Sequence, residues 1–238
     1  MSIAILIATS FSLGFFVESI LGFGGGLIAY AILGFFIDLK EMILAGLYVG
    51  TLSSMYIAYG SRKYFDAKIF KSMIPLCIIG TIFGAFIFSE LSSKNLGFIF
   101  GILLILLSIK TMFFDKFIFP KIFKNKLIFI GGISCGSFGI GGPFWVGALQ
   151  KDFKSKSGLR STLAVTFVFF NLIRIIQLSL QGQIKLDSFY DIFWTIIPVF
   201  IAIKLGHKVH LKISEEIFKK GIALITVLAG IKFLTKIF

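Results

Sequence analysis

The sequence predicts an all-α, polytopic integral membrane protein built from two halves of inverted topology. Three observations support this prediction: the composition, the glycine clusters that interrupt two apolar segments, and the placement of the basic residues. Of the 238 residues, 57% are hydrophobic and 15% are charged, whereas soluble domains average about 45–50% apolar and about 25% charged residues. The mean hydropathy is +0.99. This composition argues against a soluble enzyme, a disordered protein and a fibrous protein.

Eight apolar segments are separated by short and mostly charged breaks. A helix needs about 20 residues to cross a bilayer, and most of these segments have that length. The segments do not show the period-two alternation of transmembrane β-strands. They cover residues 3–37, 42–59, 72–90, 96–114, 127–150, 160–180, 188–206 and 214–236.

Glycine clusters interrupt the first and the fifth of these segments. Residues 22–26 are Gly-Phe-Gly-Gly-Gly, and residues 138–143 are Phe-Gly-Ile-Gly-Gly-Pro. Glycine costs about 1 kcal/mol in a helix interior and proline about 3 kcal/mol, so each cluster should end one helix and start another. We therefore expect each of the two segments to form a hairpin, or two partial spans that meet at a loop.

The basic residues divide the breaks into two groups. By the positive-inside rule, the strongly basic breaks lie in the cytoplasm and the others lie outside. The net charge of +13 is then a property of membrane loops, and we expect no nucleic-acid partner. Breaks 60–71, 115–126, 151–160 and 207–220 carry four Lys or Arg residues each, and breaks 38–41, 91–95 and 181–187 carry one each.

Strongly basic breaks flank segment 127–150 on both sides, so this segment should return to the side on which it starts. The same treatment of segment 3–37 gives two halves, residues 1–114 and residues 127–238, each with one hairpin and three spans. The first half starts outside and the second starts inside, so their topologies are inverted. Inverted repeats with interrupted helices at corresponding positions are the plan of many secondary transporters.

The two glycine clusters form the first candidate site. A helix that begins after a break points N–H groups and the positive end of its dipole at the gap. Two such ends that meet near the midplane would bind an anion. The alternative for these glycines is close helix packing, which we expect for Gly80-xxx-Gly84 and Gly97-xxx-Gly101. The candidate residues are Gly22, Phe23, Gly24, Gly25, Gly26, Gly139, Ile140, Gly141, Gly142 and Pro143.

Segment 160–180 and its end carry the second candidate site, a polar stripe that contains Arg174. A charge deep in a span is costly and marks a functional site by default. Guanidinium binds oxyanions through two parallel hydrogen bonds. The alternatives are that Arg174 points outward or pairs with Glu18. The stripe consists of Thr166, Asn171, Arg174, Gln177 and Gln181, which fall within one helical sector of about 140°.

Ser53, Ser54 and Glu18 are further candidates. With Asn171, the two serines would complete the shell around the anion. Three roles are open for Glu18: a proton carrier that couples transport, a partner of Arg174, or a cap on backbone N–H groups. We expect no metal, no cofactor and no catalytic residue, because the spans contain neither a histidine nor a pair of aspartates.

Three stretches resemble the TauE/SafE family of membrane transporters, which includes sulfite exporters. Their order is similar to the family's Gly-Gly-Pro hairpin followed by its Arg-Ala-Thr-Leu helix, and the two-half layout matches across essentially the whole chain. The sequence departs from the family pattern at Ser161, Phe144 and Glu18, where alanine, proline and a neutral polar residue are common. The stretches are Glu18-Ser-Ile-Leu-Gly-Phe-Gly-Gly-Gly26, Gly136-Ser-Phe-Gly-Ile-Gly-Gly-Pro143, and Arg160-Ser-Thr-Leu163 through Asn171 and Arg174 to Gly182.

The resemblance implies transport of sulfite, organosulfonates or related small anions. We therefore expect a secondary transporter in the cell inner membrane that moves sulfite or an organosulfonate by alternating access, without enzymatic activity. An anion channel and a transporter of small non-sulfur carboxylates are the alternatives. The expected partners are the small anion and the lipid bilayer, and a homodimer is an open question.

Overall fold

The computed structural model describes residues 3–21, 24–114, 119–184, 187–208 and 215–235. Within these ranges the chain is all-helical, with ten α-helices, two short 3-10 helices at Arg62–Tyr64 and Lys121–Phe123, and no strand. The α-helices are α1 Ile3–Leu21, α2 Gly25–Leu33, α3 Leu39–Ser61, α4 Ala67–Glu90, α5 Ser93–Phe113, α6 Lys124–Phe138, α7 Gly142–Leu149, α8 Lys156–Leu180, α9 Asp187–Lys208 and α10 Glu215–Thr235.

Four of the described helices are long and apolar enough to cross a bilayer. They are α3 together with the 3-10 helix that follows it (Leu39–Tyr64), α4 (Ala67–Glu90), α5 (Ser93–Phe113) and α8 from its second residue (Ser157–Leu180), with lengths of 21 to 26 residues. At 1.5 Å per residue these helices extend about 32–39 Å, compared with a hydrocarbon core of about 30 Å. The prediction of an all-α fold is therefore confirmed for the described residues, and these four helices have the length and composition of membrane spans.

The helix is broken at both glycine clusters, as predicted. Helix α1 ends at Leu21 and α2 begins at Gly25, while α6 ends at Phe138 and α7 begins at Gly142. Gly24 has φ 96° and Gly139 has φ 75°, a left-handed conformation that glycine adopts without steric cost. Helix α2 has 9 residues and α7 has 8, or about 12–14 Å each. Each returning arm is therefore too short to cross the bilayer alone.

Contacts divide the chain into two compact units, and unit 1 comprises Met1–Ala45, Leu91–Phe117 and Trp194–Phe238. In this unit α1 and α2 form an antiparallel hairpin, in which a Cβ on Gly14 would overlap the carbonyl oxygen of Gly25. Helices α5 and α10 also pack closely, because a Cβ on Gly101 would lie 2.8 Å from the carbonyl oxygen of Gly230. Together with Gly97, which would make ordinary contacts with Phe233 and Leu39, this supports the predicted packing role of Gly97-xxx-Gly101.

Unit 2 comprises Gly46–Glu90 and Ile118–Phe193, and its centre is the close pairing of α4 with α6. Ser137 Oγ donates a 2.9 Å hydrogen bond to the carbonyl of Gly84. A Cβ on Gly80 or Gly84 would overlap backbone atoms of α6, and a Cβ on Gly136 would overlap backbone atoms of α4. Small residues thus let the two backbones approach each other, which confirms the packing role predicted for Gly80-xxx-Gly84.

The second hairpin packs around a buried tryptophan in unit 2. The Trp145 side chain is completely buried, and its Nε1 donates a 3.2 Å hydrogen bond to the carbonyl of Ile128. At the open end of the hairpin, Lys124 Nζ lies 2.7 Å from Asp152 Oδ2. The start of α6 and the residues after α7 are therefore neighbours, as expected if segment 127–150 returns to the end at which it began.

Each unit contains helices from both halves of the sequence. Helices α3 and α9 contribute residues to both units. Two features stay predictions from the charges of the loops and the positions of the glycine clusters. They are the division into residues 1–114 and 127–238, and the inverted topology of these halves.

Candidate functional site

The polar stripe of α8 points into unit 2. Thr162, Thr166 and Arg174 are completely buried, and Asn171 is 4% exposed. Gln177 Nε2 donates a 3.1 Å hydrogen bond to the carbonyl of Ile82 on α4. Polar groups on a spanning helix avoid lipid because hydrocarbon offers them no hydrogen bonds. Three members of the predicted stripe, Thr166, Asn171 and Arg174, are thus interior, and Gln177 is half-buried against α4. Gln181, at the end of α8, is exposed, so the prediction of an interior stripe is wrong there.

Arg174 is buried rather than directed outward, with an exposed fraction of 0%. Its Nε donates a 2.8 Å hydrogen bond to the carbonyl of Gly136. Gly136 lies in the last turn of α6, where carbonyls have no intrahelical partner and the helix dipole is negative. The normal partner of this carbonyl would be the amide of Ile140, which instead donates to Ser134. Arg174 therefore caps α6 immediately before the second break.

The Gly136 carbonyl takes one of the five N–H donors of the guanidinium and carries no formal charge. Both terminal nitrogens of Arg174 are also buried. A buried cation inside a spanning helix strongly attracts negative charge, because the surrounding medium screens it weakly. This property is what the predicted anion site at this point of α8 requires.

Asn171 lies one turn before Arg174 and is close to α3. A Cβ on Gly50 would lie 3.9 Å from Asn171 Nδ2. Helices α3 and α8 run antiparallel, since Ser161 Oγ near the start of α8 donates a 2.9 Å hydrogen bond to the carbonyl of Ser61 at the end of α3. Ser53 then follows Gly50 by one helical turn, on the same face of α3.

Ser53 and Ser54 are both buried, with exposed fractions of 1% and 5%. Within the described part of the chain, neither Ser53 Oγ nor Asn171 Oδ1 has a hydrogen-bond partner. A buried polar atom without a partner costs about 1–3 kcal/mol, so such atoms usually serve a ligand or water. Ser53, Asn171 and Arg174 are three of the predicted site residues, and unit 2 holds all three.

At the second break, some of the predicted donors serve the hairpin itself. The amides of Gly139 and Ile140 donate to the carbonyls of Cys135 and Ser134, at 2.8 and 3.3 Å. The bond from Gly139 to Cys135 is that of an αL cap, and both bonds satisfy carbonyls near the end of α6. A Cβ on Gly141 would overlap the ring of Trp145, and Pro143 lies in the first turn of α7. Packing thus explains glycine at position 141, and the ligand role of Gly141 and Gly142 stays a prediction.

At the first break, Glu18 caps α2. Its Oε2 accepts a 2.7 Å hydrogen bond from the amide of Gly25, the first residue of the helix. A carboxylate is favourable there because the dipole is positive and the first amides lack intrahelical partners. A Cβ on Gly24 or Gly26 would meet no atom within 4 Å, whereas one on Gly25 would meet Glu18 at 2.7 Å. The capping role is thus observed.

Gly22 and Phe23 of the first cluster lie outside the described residues. The proton-carrier role of Glu18 and its pairing with Arg174 stay predictions.

Two polar features of the site were not among the predicted residues. The first is the carbonyl of Gly136, which holds Arg174. The second is Thr81 on α4, which is completely buried and whose Oγ1 has no hydrogen-bond partner among the described residues. Thr81 is the only residue with a hydroxyl group between Gly80 and Gly84. Its position between two predicted packing glycines could have identified it from the sequence.

Taken together, the spanning helices, the two broken hairpins and the buried polar stripe define an all-helical, multi-pass membrane protein with an interior cationic site. The sulfite exporter TauE/SafE family model matches residues 6–233. The chain therefore belongs to this family, and the resemblance noted from its motifs is confirmed. The comparison with curated proteins found no match, and neither did the comparison with solved structures.

Proposed function

We propose that this protein is a secondary transporter that moves sulfite or an organosulfonate across the cell inner membrane by alternating access. Membership of the TauE/SafE family supports membrane transport of sulfur anions in general. The observation that carries the proposal is the burial of Arg174 in a spanning helix, one turn from the buried amide of Asn171.

The chemistry of these groups suits a small oxyanion. Guanidinium presents a planar fork of donors that matches two oxygens of a sulfite or sulfonate group. Asn171 Nδ2 and the hydroxyl of Ser53 add donors that carry no charge. Ser54 and Thr81 are further buried hydroxyls in unit 2. In this proposal Arg174 supplies the charge, and the neutral groups supply the selectivity.

The glycine breaks supply the conformational freedom and further amide donors. Residues in positive φ, such as Gly24 and Gly139, are points at which a helical arm can change direction. Glu18 is the coupling candidate, because protonation would weaken its bond to the amide of Gly25. That both glycine clusters serve a single solute stays a prediction from the sequence.

Helix directions within each unit support the proposed membrane orientation. In unit 2, α4 and α8 run parallel. The amide of Asp66, just before α4, donates to Thr162 Oγ1 near the start of α8, and Gln177 Nε2 near the end of α8 donates to the carbonyl of Ile82. In unit 1, α5 and α10 run antiparallel, since Gly97 faces Phe233 and Gly101 faces Gly230. Both relations are those expected if the spans cross the membrane in the directions that place loops 60–71, 115–126, 151–160 and 207–220 in the cytoplasm.

The test is anion uptake by proteoliposomes that contain the wild type, Arg174→Lys or Arg174→Gln. A matched control is Arg62→Gln, which removes an exposed arginine from the same unit. We expect Arg174→Gln to lose at least about 90% of sulfite uptake, Arg174→Lys to keep a fraction of it, and the control to match the wild type. A folded Arg174→Gln variant that transports at the wild-type rate would refute the role of this residue.

The same assay separates the alternatives. Uptake that does not saturate with concentration would indicate an anion channel, since a carrier must complete one cycle for each solute. Stronger competition by small carboxylates than by sulfonates would indicate a carboxylate transporter. A secondary transporter of sulfur anions predicts saturation, and competition by sulfonates.

A further inference from the structure

A cavity in unit 2 lies between the start of α6 and the end of α7, apart from the Arg174 site. Its volume is about 150 Å³, roughly five times the share of one water molecule in the liquid. Lys121, Lys124 and Lys151 line it together with Asp152. Segments 119–127 and 147–152 therefore form one pocket, although more than twenty residues separate their first positions in the sequence.

The charge of this pocket is positive. Lys124 Nζ and Asp152 Oδ2 form an ion pair at 2.7 Å, in which both side chains are about one-third exposed. Asp152 therefore balances one of the three lysines. Lys121 and Lys151 add two positive charges at the same cavity, so it is suited to an anionic group.

The pocket also has apolar walls, and exposed apolar residues flank it. Phe119, Leu127 and Ala148 line the cavity. In the adjacent 3-10 helix, Ile122 is 81% exposed and Phe123 is 42% exposed. Exposed apolar side chains beside lysines are typical of a segment at the boundary between headgroups and acyl chains.

We propose that this pocket binds the phosphate headgroup of an anionic phospholipid of the cytoplasmic leaflet. Lys121 and Lys151 would contact the phosphate, while Ile122 and Phe123 would contact the acyl chains. Basic pockets between membrane helices on the cytoplasmic side are typical sites for such headgroups. The apolar flank favours a lipid over free phosphate, which has no acyl chain to bury there. The inference does not depend on which anion the protein transports.

Lipid binding to the purified full-length chain tests this proposal. Native mass spectrometry would measure retention of phosphatidylglycerol from mixed micelles that also contain phosphatidylcholine. Each lysine near an anionic surface contributes a factor of about five in affinity, so Lys121→Gln/Lys151→Gln should bind phosphatidylglycerol about 25-fold more weakly. The matched control Lys68→Gln/Lys71→Gln removes the same charge from exposed positions in unit 2 and should change binding less than twofold.

A second variant tests the pocket without changing its charge. A Cβ on Gly147 would lie 3.3 Å from the Phe119 ring, so Gly147→Val fills the cavity and should also lose the bound lipid. Three results would overturn the proposal: equal loss in both lysine double variants, no preference for phosphatidylglycerol over phosphatidylcholine, or displacement of the lipid by inorganic phosphate at the same concentration. If Gly147→Val fails to fold, the lysine variants still decide the question.

Discussion

A single methyl group added at Gly84 tests how α6 is held in place. Helices α4 and α6 touch there, and an alanine Cβ would lie 2.8 Å from the amide nitrogen of Ser137 and 2.9 Å from the Cα of Gly136. Both are backbone atoms, so no side-chain rotation can relieve the overlap. The two helices must separate at the position where Gly136 presents its carbonyl to Arg174.

The cost of Gly84→Ala has two parts. Carbon atoms pack best at about 3.5–4.0 Å, so the backbones must move apart by at least about 0.5 Å, and overpacking of this kind costs about 1–3 kcal/mol. The shift also strains the hydrogen bond from Ser137 Oγ to Gly84, which is worth about 1 kcal/mol. The sum is about 2–4 kcal/mol, or a decrease in apparent Tm of roughly 5–15 °C.

The assay is thermal unfolding of the purified protein in detergent, with Gly60→Ala as the matched control. Gly60 lies in α3, and a Cβ there would meet no atom within 4 Å. Alanine should therefore be neutral or stabilise the helix by up to about 1 kcal/mol. If the two variants unfold at the same temperature, the close contact between α4 and α6 does not exist.

Three further predictions follow from other parts of the molecule. Glu18→Ala should lower the unfolding free energy by about 1 kcal/mol because the amide of Gly25 loses its cap, whereas Glu18→Gln should keep most of it; equal losses in thermal unfolding would contradict the capping role. Asn171→Leu should leave thermal stability unchanged or higher, because it removes a buried carbonyl oxygen that has no hydrogen-bond partner among the described residues, and should lower the rate of anion uptake at least about tenfold; unchanged uptake would exclude the residue from the site. Cys77 and Cys135 are completely buried, so a maleimide should label them only after denaturation, and mass spectrometry that finds rapid labelling of the native protein would contradict their burial.

Local sequence rules predicted much of the fold. The glycine clusters have the chemistry of helix breaks, and the structure ends α1 and α6 there. Gly80 and Gly84 are one turn apart on α4, so their packing role also followed from local spacing. The burial of Arg174 could be predicted because a charge on a spanning helix avoids lipid.

Other features of the site required the tertiary structure. The Gly25 amide finds Glu18 only because α1 and α2 fold back on each other at a particular angle. Asn171 meets Gly50 across more than a hundred residues of sequence, and no local pattern fixes that register. The basic breaks 115–126 and 151–160 predicted a common side of the membrane, but not the cavity between them.

The role of Arg174 is tested by equilibrium binding of sulfite to the purified protein, measured by isothermal titration for the wild type, Arg174→Gln and Arg62→Gln. An anion site at Arg174 predicts saturable binding to the wild type and to the Arg62 variant. It also predicts that removal of the guanidinium weakens binding at least about tenfold, since charged hydrogen bonds contribute about 1.5–3 kcal/mol. Equal affinity of Arg174→Gln and the wild type, with both proteins folded, would show that this buried cation does not bind the transported anion.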